Sequence, residues 1–151
     1  MPPVPQRKPA TYADIMALPD HVVGEILDDE LVVSPRPAPA HAFASSGIGM
    51  DLGPFHRRLG GPGGPGGWWI IDEPELHLGP HVLVADLAGW RRERMPVRPQ
   101  TAWFELAPDW VCEVQSPRTA RRDRVQKMRM YGEHGVRWLW LVDPGARATP
   151  A

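Results

Sequence analysis

The chain has 151 residues, 42% of them hydrophobic, and a formal net charge of −1. That length suits one domain with a real core rather than two, and the near-zero balance excludes nucleic-acid binding by bulk charge, leaving only a local patch. The single cysteine, Cys112, excludes an intrachain disulfide and a multi-cysteine zinc site, and without a membrane-spanning run or an opening signal peptide a cytoplasmic location is expected.

Residues 1–10, MPPVPQRKPA, read as a flexible proline-rich tail ahead of a single domain over 11–151. Thr11 and Asp14 have the spacing of a capping box, so a short helix is predicted, closed by Pro19. HVVGEIL and ELVVS flank Asp28-Asp29 and predict a hairpin. From Ala40 to Leu59 the apolar residues Ala44, Ile48, Leu52, Phe55 and Leu59 recur at helical intervals, with Pro54 placed to end or kink the helix. GGPGGPGG is a loop; it has neither the Gly-Lys-Ser/Thr ending nor the strand-to-helix context of a phosphate cradle.

WWII, ELHL and VLVADLAGW predict three short strands, with turns at Asp72-Glu73-Pro74 and Gly79-Pro80. Arg91–Gln100 is a polar loop. DWVCEV is a further strand. Ser116-Pro117 suits a helix start, and the helix is expected to run to about His134 with Gly135 at its end. VRWLWLV is an almost unbroken apolar strand stopped by Asp143-Pro144. Strand, helix, strand allows a right-handed parallel crossover, and the lack of alternation in the last strand predicts burial on both faces. The class is α/β: a mixed sheet, a hairpin at one side and flanking helices.

Glu113 stands inside an otherwise apolar strand. An unpaired buried carboxylate is very costly. Glu113 is therefore salt-bridged, or binds a metal, or opens to solvent at the strand end. Asp86 repeats the theme at the end of VLVAD. If the two strands are neighbours, the carboxylates converge, and with a backbone carbonyl and water they would make an oxygen site suited to Mg²⁺ or Mn²⁺. Asp123, Lys127 and Tyr131 fall along one side of the following helix. Two acids and a lysine are what metal-dependent phosphodiester hydrolysis requires: the ion activates water and polarises the phosphate, and the lysine adds positive charge.

TYADIMALP, GEILDDELVVSP with His41 beyond it, VLVADLAGW, DWVCEVQSPRTARRDRVQKMRMYGEHGV and RWLWLVDP together resemble the Uma-two family of restriction endonucleases, a branch of the PD-(D/E)XK nuclease superfamily. The resemblance implies a restriction-endonuclease-like core and Mg²⁺-dependent cleavage of DNA, with Mn²⁺ as a possible substitute. It implies that Asp86 and Glu113 are metal ligands and that the carbonyl of Val114 is a third. Gln115 stands where the superfamily motif has its lysine, and Lys127 on the helix would replace that lysine. Glu25 would be a further acid at the edge of the site. Ala85 replaces the motif's proline, and Asp29 a usual glycine. Family members continue through further strands after the Asp-Pro pair, so the chain is expected to be truncated at its C-terminus, with an exposed sheet edge. The competing reading is an inactive, truncated module of the same fold that binds nucleic acid or a partner. A third is hydrolysis of a smaller phosphate ester. Double-strand cutting would favour a homodimer, by analogy alone.

Other residues have plainer readings. His41 reads as a surface histidine at a helix start, Asp123 and Tyr131 as helix pairing and packing, and Cys112 as a small core residue. Trp138 and Trp140 are expected in the core; Trp68, Trp69, Trp90 and Trp103 could be core or platforms for bases. Arg118, Arg121, Arg122, Arg124, Lys127 and Arg129 form one basic cluster and Arg91, Arg92 and Arg94 another, equally readable as solvated faces or as phosphate contacts.

Overall fold

The computed structural model describes residues 1–61, 64–117, 121 and 123–145, apart from the side chains of residues 123 and 124. The elements in chain order are α1 (Tyr12–Met16), β1 (Val22–Leu27), β2 (Glu30–Pro35), α2 (Pro39–Asp51), α3 (Gly53–Arg57), β3 (Trp68–Asp72), β4 (Glu75–Leu78), β5 (His81–Val84), β6 (Leu87–Arg91) and β7 (Trp110–Val114). A π-helical turn, Asp123–Lys127, then runs into α4 (Met128–Glu133), and β8 (Trp138–Val142) follows.

The strands form two four-stranded sheets, ordered β2-β1-β5-β4 and β3-β6-β7-β8. The class is α/β, with two sheets where the sequence predicts one. The division falls inside VLVADLAGW: Val84 ends β5 in the first sheet and Leu87 opens β6 in the second. The Asp86 carbonyl accepts the Glu73 N–H at 3.0 Å and its carboxylate accepts the Val114 N–H at 2.7 Å, which holds the chain at the crossing.

Local signals place most elements. The Thr11 N–H donates to the Asp14 carboxylate at 2.8 Å, as the capping box requires. Asp28 and Asp29 both adopt left-handed backbone, φ 49° and 64°, and close the β1–β2 hairpin in the sense a two-residue turn needs. The long predicted helix over 40–59 is two helices that break at Leu52, just before Gly53-Pro54. The start predicted at Ser116-Pro117 leads into residues 118–120, which lie outside the described residues, as do Pro62 and Gly63 of the glycine loop. Gly135, φ 81°, ends the helical segment as expected.

The main core joins both sheets to α4 through Leu27, Leu76, Leu83, Trp90, Val111, Met130 and Tyr131. A second core lies on the other face of the β3-β6-β7-β8 sheet, where Leu87, Trp110, Cys112 and Val114 meet Ala44, Ile48 and Leu52 of the α2 segment. β8 runs parallel to β7, as the strand–helix–strand reading expects, but it is an edge strand. Trp138 is 36% exposed and Trp140 47%, which corrects the expectation that this strand is buried on both faces. With β7 on one side only, and the α2 side chains ending over the middle of the sheet, an unbroken apolar run here lines a cleft instead of a core.

Candidate active site

Glu113 lies in the middle of the second sheet, on the face of β7 turned toward α4. Its side chain is 4% exposed. Oε1 accepts the Tyr131 hydroxyl at 2.6 Å and the Lys127 ammonium at 2.7 Å. Burial still pushes its carboxyl up to about 8, outweighing the ammonium, with the charges of Asp86 and Glu25 adding to the rise.

Lys127 ends the π-helical turn, and that wider turn carries it to a position 2% exposed. It donates to Glu113, to Glu25 Oε2 at 2.9 Å and to the Val84 carbonyl at 3.1 Å. Glu25 comes from β1, and its Oε2 also accepts the Val84 N–H at 2.9 Å. One lysine therefore ties the hairpin, β5 and β7 together.

Asp86 sits at the crossing between the sheets, its carboxylate held by the Val114 N–H. His41 of α2 brings Nε2 to 3.3 Å from the same oxygen, Oδ2, and its Nδ1 is buried with no hydrogen-bond partner among the described residues. The expectation of a surface histidine is thus corrected. Glu25, His41, Asp86, Glu113, Val114 and Lys127 line one cavity of about 440 Å³. Asp86 and His41 also border a neighbouring groove of about 560 Å³ that runs past Ser45, His56 and Arg57.

Carboxylate and carbonyl oxygens are the donors a hard divalent cation takes. Ionised, the three carboxylates exceed the one ammonium by two negative charges. Among the described residues no hydrogen bond reaches Asp86 Oδ1 or Glu113 Oε2. No group of three or more His, Cys, Asp or Glu is gathered for a metal among the described residues. Ligation would therefore rest on two carboxylates, the Val114 carbonyl and water, a sparse protein set that Mg²⁺ tolerates because it keeps several waters.

Gln115 does not line this cavity. It is buried, its backbone N–H donates to Val142 at 2.7 Å, and its Nε2 lacks a partner among the described residues. Tyr131, read from sequence as packing, touches the central acid directly; its four-residue spacing from Lys127 was the available signal.

The basic clusters change character. Lys127 is buried, and Arg129 pairs with Asp28 at 2.8 Å and with Glu133 at 3.1 Å, so neither offers a free surface charge. Arg118, Arg122 and the side chain of Arg124 lie outside the described residues, as does that of Asp123. Arg94 pairs with Asp109 at 2.8 Å. Arg91 and Arg92 instead lie over tryptophan rings, Arg91 at 5.1 Å from Trp68 and Arg92 at 3.8 Å from Trp69. Trp90 is core, and Trp103 stacks on His77. Cys112 is fully buried, and burial, then Asp86 and Glu113, push its thiol up to about 12, as suits a core residue.

Among the described residues no helix is long and apolar enough to cross a membrane. No curated protein matches the chain. A crystal structure from Anabaena variabilis ATCC 29413, described as "a putative nuclease belonging to DUF820", superposes with a TM-score of 0.74 over 90% of this chain and 75% of that one, at 22% identity; the likeness is one of fold. The family model of Uma2, described as "Putative restriction endonuclease", matches residues 12–149. That span is nearly the whole sequence, and the chain belongs to the Uma2 family.

Proposed function

We propose that the chain is a divalent-metal-dependent endonuclease that hydrolyses phosphodiester bonds in DNA. The observation that carries this reading is the meeting of Asp86, Glu113 and Lys127 at one cavity, where one oxygen of each acid makes no hydrogen bond among the described residues. Family membership and the nuclease-like fold support it.

Asp86 Oδ1 and Glu113 Oε2, with the Val114 carbonyl, would hold Mg²⁺ or Mn²⁺. The ion supplies positive charge at the scissile phosphate and acidity to water. The Val114 N–H and His41 orient Asp86, and the Tyr131 hydroxyl orients Glu113. Lys127 keeps positive charge at the floor of the cavity, where charge developing on a phosphate is stabilised, and Glu25 holds it there. In this reading Lys127 stands in for the lysine the superfamily motif puts at position 115.

One observation favours a binding module without turnover. Lys127 is already engaged by two carboxylates and a carbonyl. Cleavage of supercoiled and single-stranded DNA with Mg²⁺ or Mn²⁺ separates the two, run beside Asp86→Ala and Glu113→Ala with folding checked by circular dichroism. Metal-dependent nicking lost in both variants supports the nuclease. A folded wild type that binds DNA and cuts none of it supports the module.

A further inference from the structure

The sheet face that carries the second core continues past α3 into an open cleft. By register, Trp68 of β3, Gly89 and Arg91 of β6, Trp110 of β7, and Trp138 and Trp140 of β8 all project to this face. The cleft holds about 270 Å³ and is walled by these tryptophans and Phe55. Trp138 meets Trp68 edge-on at 6.3 Å between ring centres, and Trp140 meets Trp110 at 5.1 Å. Gly89 lies beneath two of these rings: a Cβ there would stand 3.2 Å from both Trp68 and Trp110, so either ring would have to give by a few tenths of an ångström.

Two guanidinium groups border these rings. Arg91 lies 5.1 Å from the centre of Trp68 and 5.6 Å from that of Trp138, and Arg137 lies 4.8 Å from Trp138. The Arg91 side chain is 43% exposed, and among the described residues its guanidinium pairs with one acid, Glu93, at 3.8 Å. Cations beside aromatic rings complement a ligand that carries both a negative charge and an aromatic face. A nucleotide uses both features: its base stacks on the tryptophans and its phosphate meets the arginines. The cleft also adjoins the groove that reaches Asp86, since Ile70 lines both.

We propose that this tryptophan–arginine cleft binds an unpaired base of single-stranded nucleic acid, whose backbone passes Arg91 and follows the groove to Asp86. The inference takes its choice of ligand from the nuclease reading and deepens it, because a base paired within a duplex cannot offer its face to the cleft without flipping out.

The test is fluorescence anisotropy of a labelled short oligothymidylate, read in EDTA so that no hydrolysis occurs. Trp138→Ala and Trp140→Ala remove rings more than a third exposed, so the core remains, and circular dichroism verifies this. Each is expected to weaken binding about 5- to 150-fold, the range for losing one base–aromatic stack. An abasic oligonucleotide is expected to bind the wild type correspondingly weakly and to be indifferent to both substitutions. Arg91→Ala is expected to lower the slope of log affinity against log salt by about one. Equal binding of normal and abasic strands by wild type and variants overturns the proposal. So does a sedimentation result in which Trp140→Ala turns a dimer into a monomer while oligonucleotide binding is unchanged, because the face is then a subunit interface. A chain that stacks bases in EDTA yet hydrolyses nothing sinks the hydrolytic reading alone. A chain that cuts DNA with both tryptophans dispensable sinks this one alone.

Discussion

Lys127→Met probes the centre of the structure. The lysine is 2% exposed and bonds to two carboxylates, Glu113 at 2.7 Å and Glu25 at 2.9 Å. Methionine fills a similar volume but leaves both acids without their ammonium. Removing one partner of a buried ion pair costs about 3–5 kcal/mol, a large share of the roughly 5–15 kcal/mol that holds a domain folded. The loss depends on pH with a definite sign. The folded Glu113 carboxyl is raised to about 8 in the wild type, while an unfolded glutamate titrates near its ordinary 4.5. Between those values the folded state binds more protons, so stability falls as pH rises. Lys127 lowers the Glu113 pKa, so in the variant it rises further and the fall with pH continues higher. Urea unfolding at pH 5 and pH 8 measures both effects. The expected result is a modest loss at pH 5 and a loss of about 3–5 kcal/mol at pH 8. A variant within about 1 kcal/mol of wild type at pH 8 would mean that Lys127 and its two acids behave as an exposed pair, which costs that little to break.

Three other outcomes follow from single residues. Cys112, fully buried with its thiol pushed up to about 12, is expected to ignore a disulfide reagent at pH 8 in the native state and to react at once in denaturant; native labelling at the rate of free cysteine would contradict that. Asp29→Gly relieves a left-handed backbone at φ 64° whose carboxylate makes no hydrogen bond among the described residues, so thermal unfolding should show a gain of about 0.5–1 kcal/mol, and a loss would mean the side chain matters. Gly89→Ala drives a Cβ to 3.1 Å from Ile70 and 3.2 Å from two indole rings; a loss of about 1–3 kcal/mol is expected from denaturant midpoints, against no change if the rings can part freely.

The capping box, the Asp28-Asp29 turn, the break before Gly53-Pro54 and the Gly135 stop were legible because each is a local device whose geometry its own residues dictate. Glu113 was legible for the opposite reason: a carboxylate in an apolar strand contradicts its neighbours and demands a partner. The division into two sheets was not legible. Nothing in VLVADLAGW marks a sheet boundary except Asp86, and its role there depends on the Val114 N–H, 28 residues away. His41 and Tyr131 were visible as residue types at helical positions, but only tertiary packing brings them to the two acids. The exposure of Trp138 and Trp140 was hidden because an apolar run reads the same in a buried strand and along the wall of a cleft. The basic clusters misled in the same way: net charge along a segment cannot say that Lys127 turns inward or that Arg129 is taken by Asp28 and Glu133.

Titration calorimetry of Mn²⁺ into the wild type, Asp86→Asn and Glu113→Gln bears most directly on the claim that the two acids form a metal centre. One site per chain in the wild type, abolished by either substitution in a folded protein, is the expected result. Binding that survives both substitutions, or a folded wild type that takes up no ion with DNA present or absent, would contradict the account.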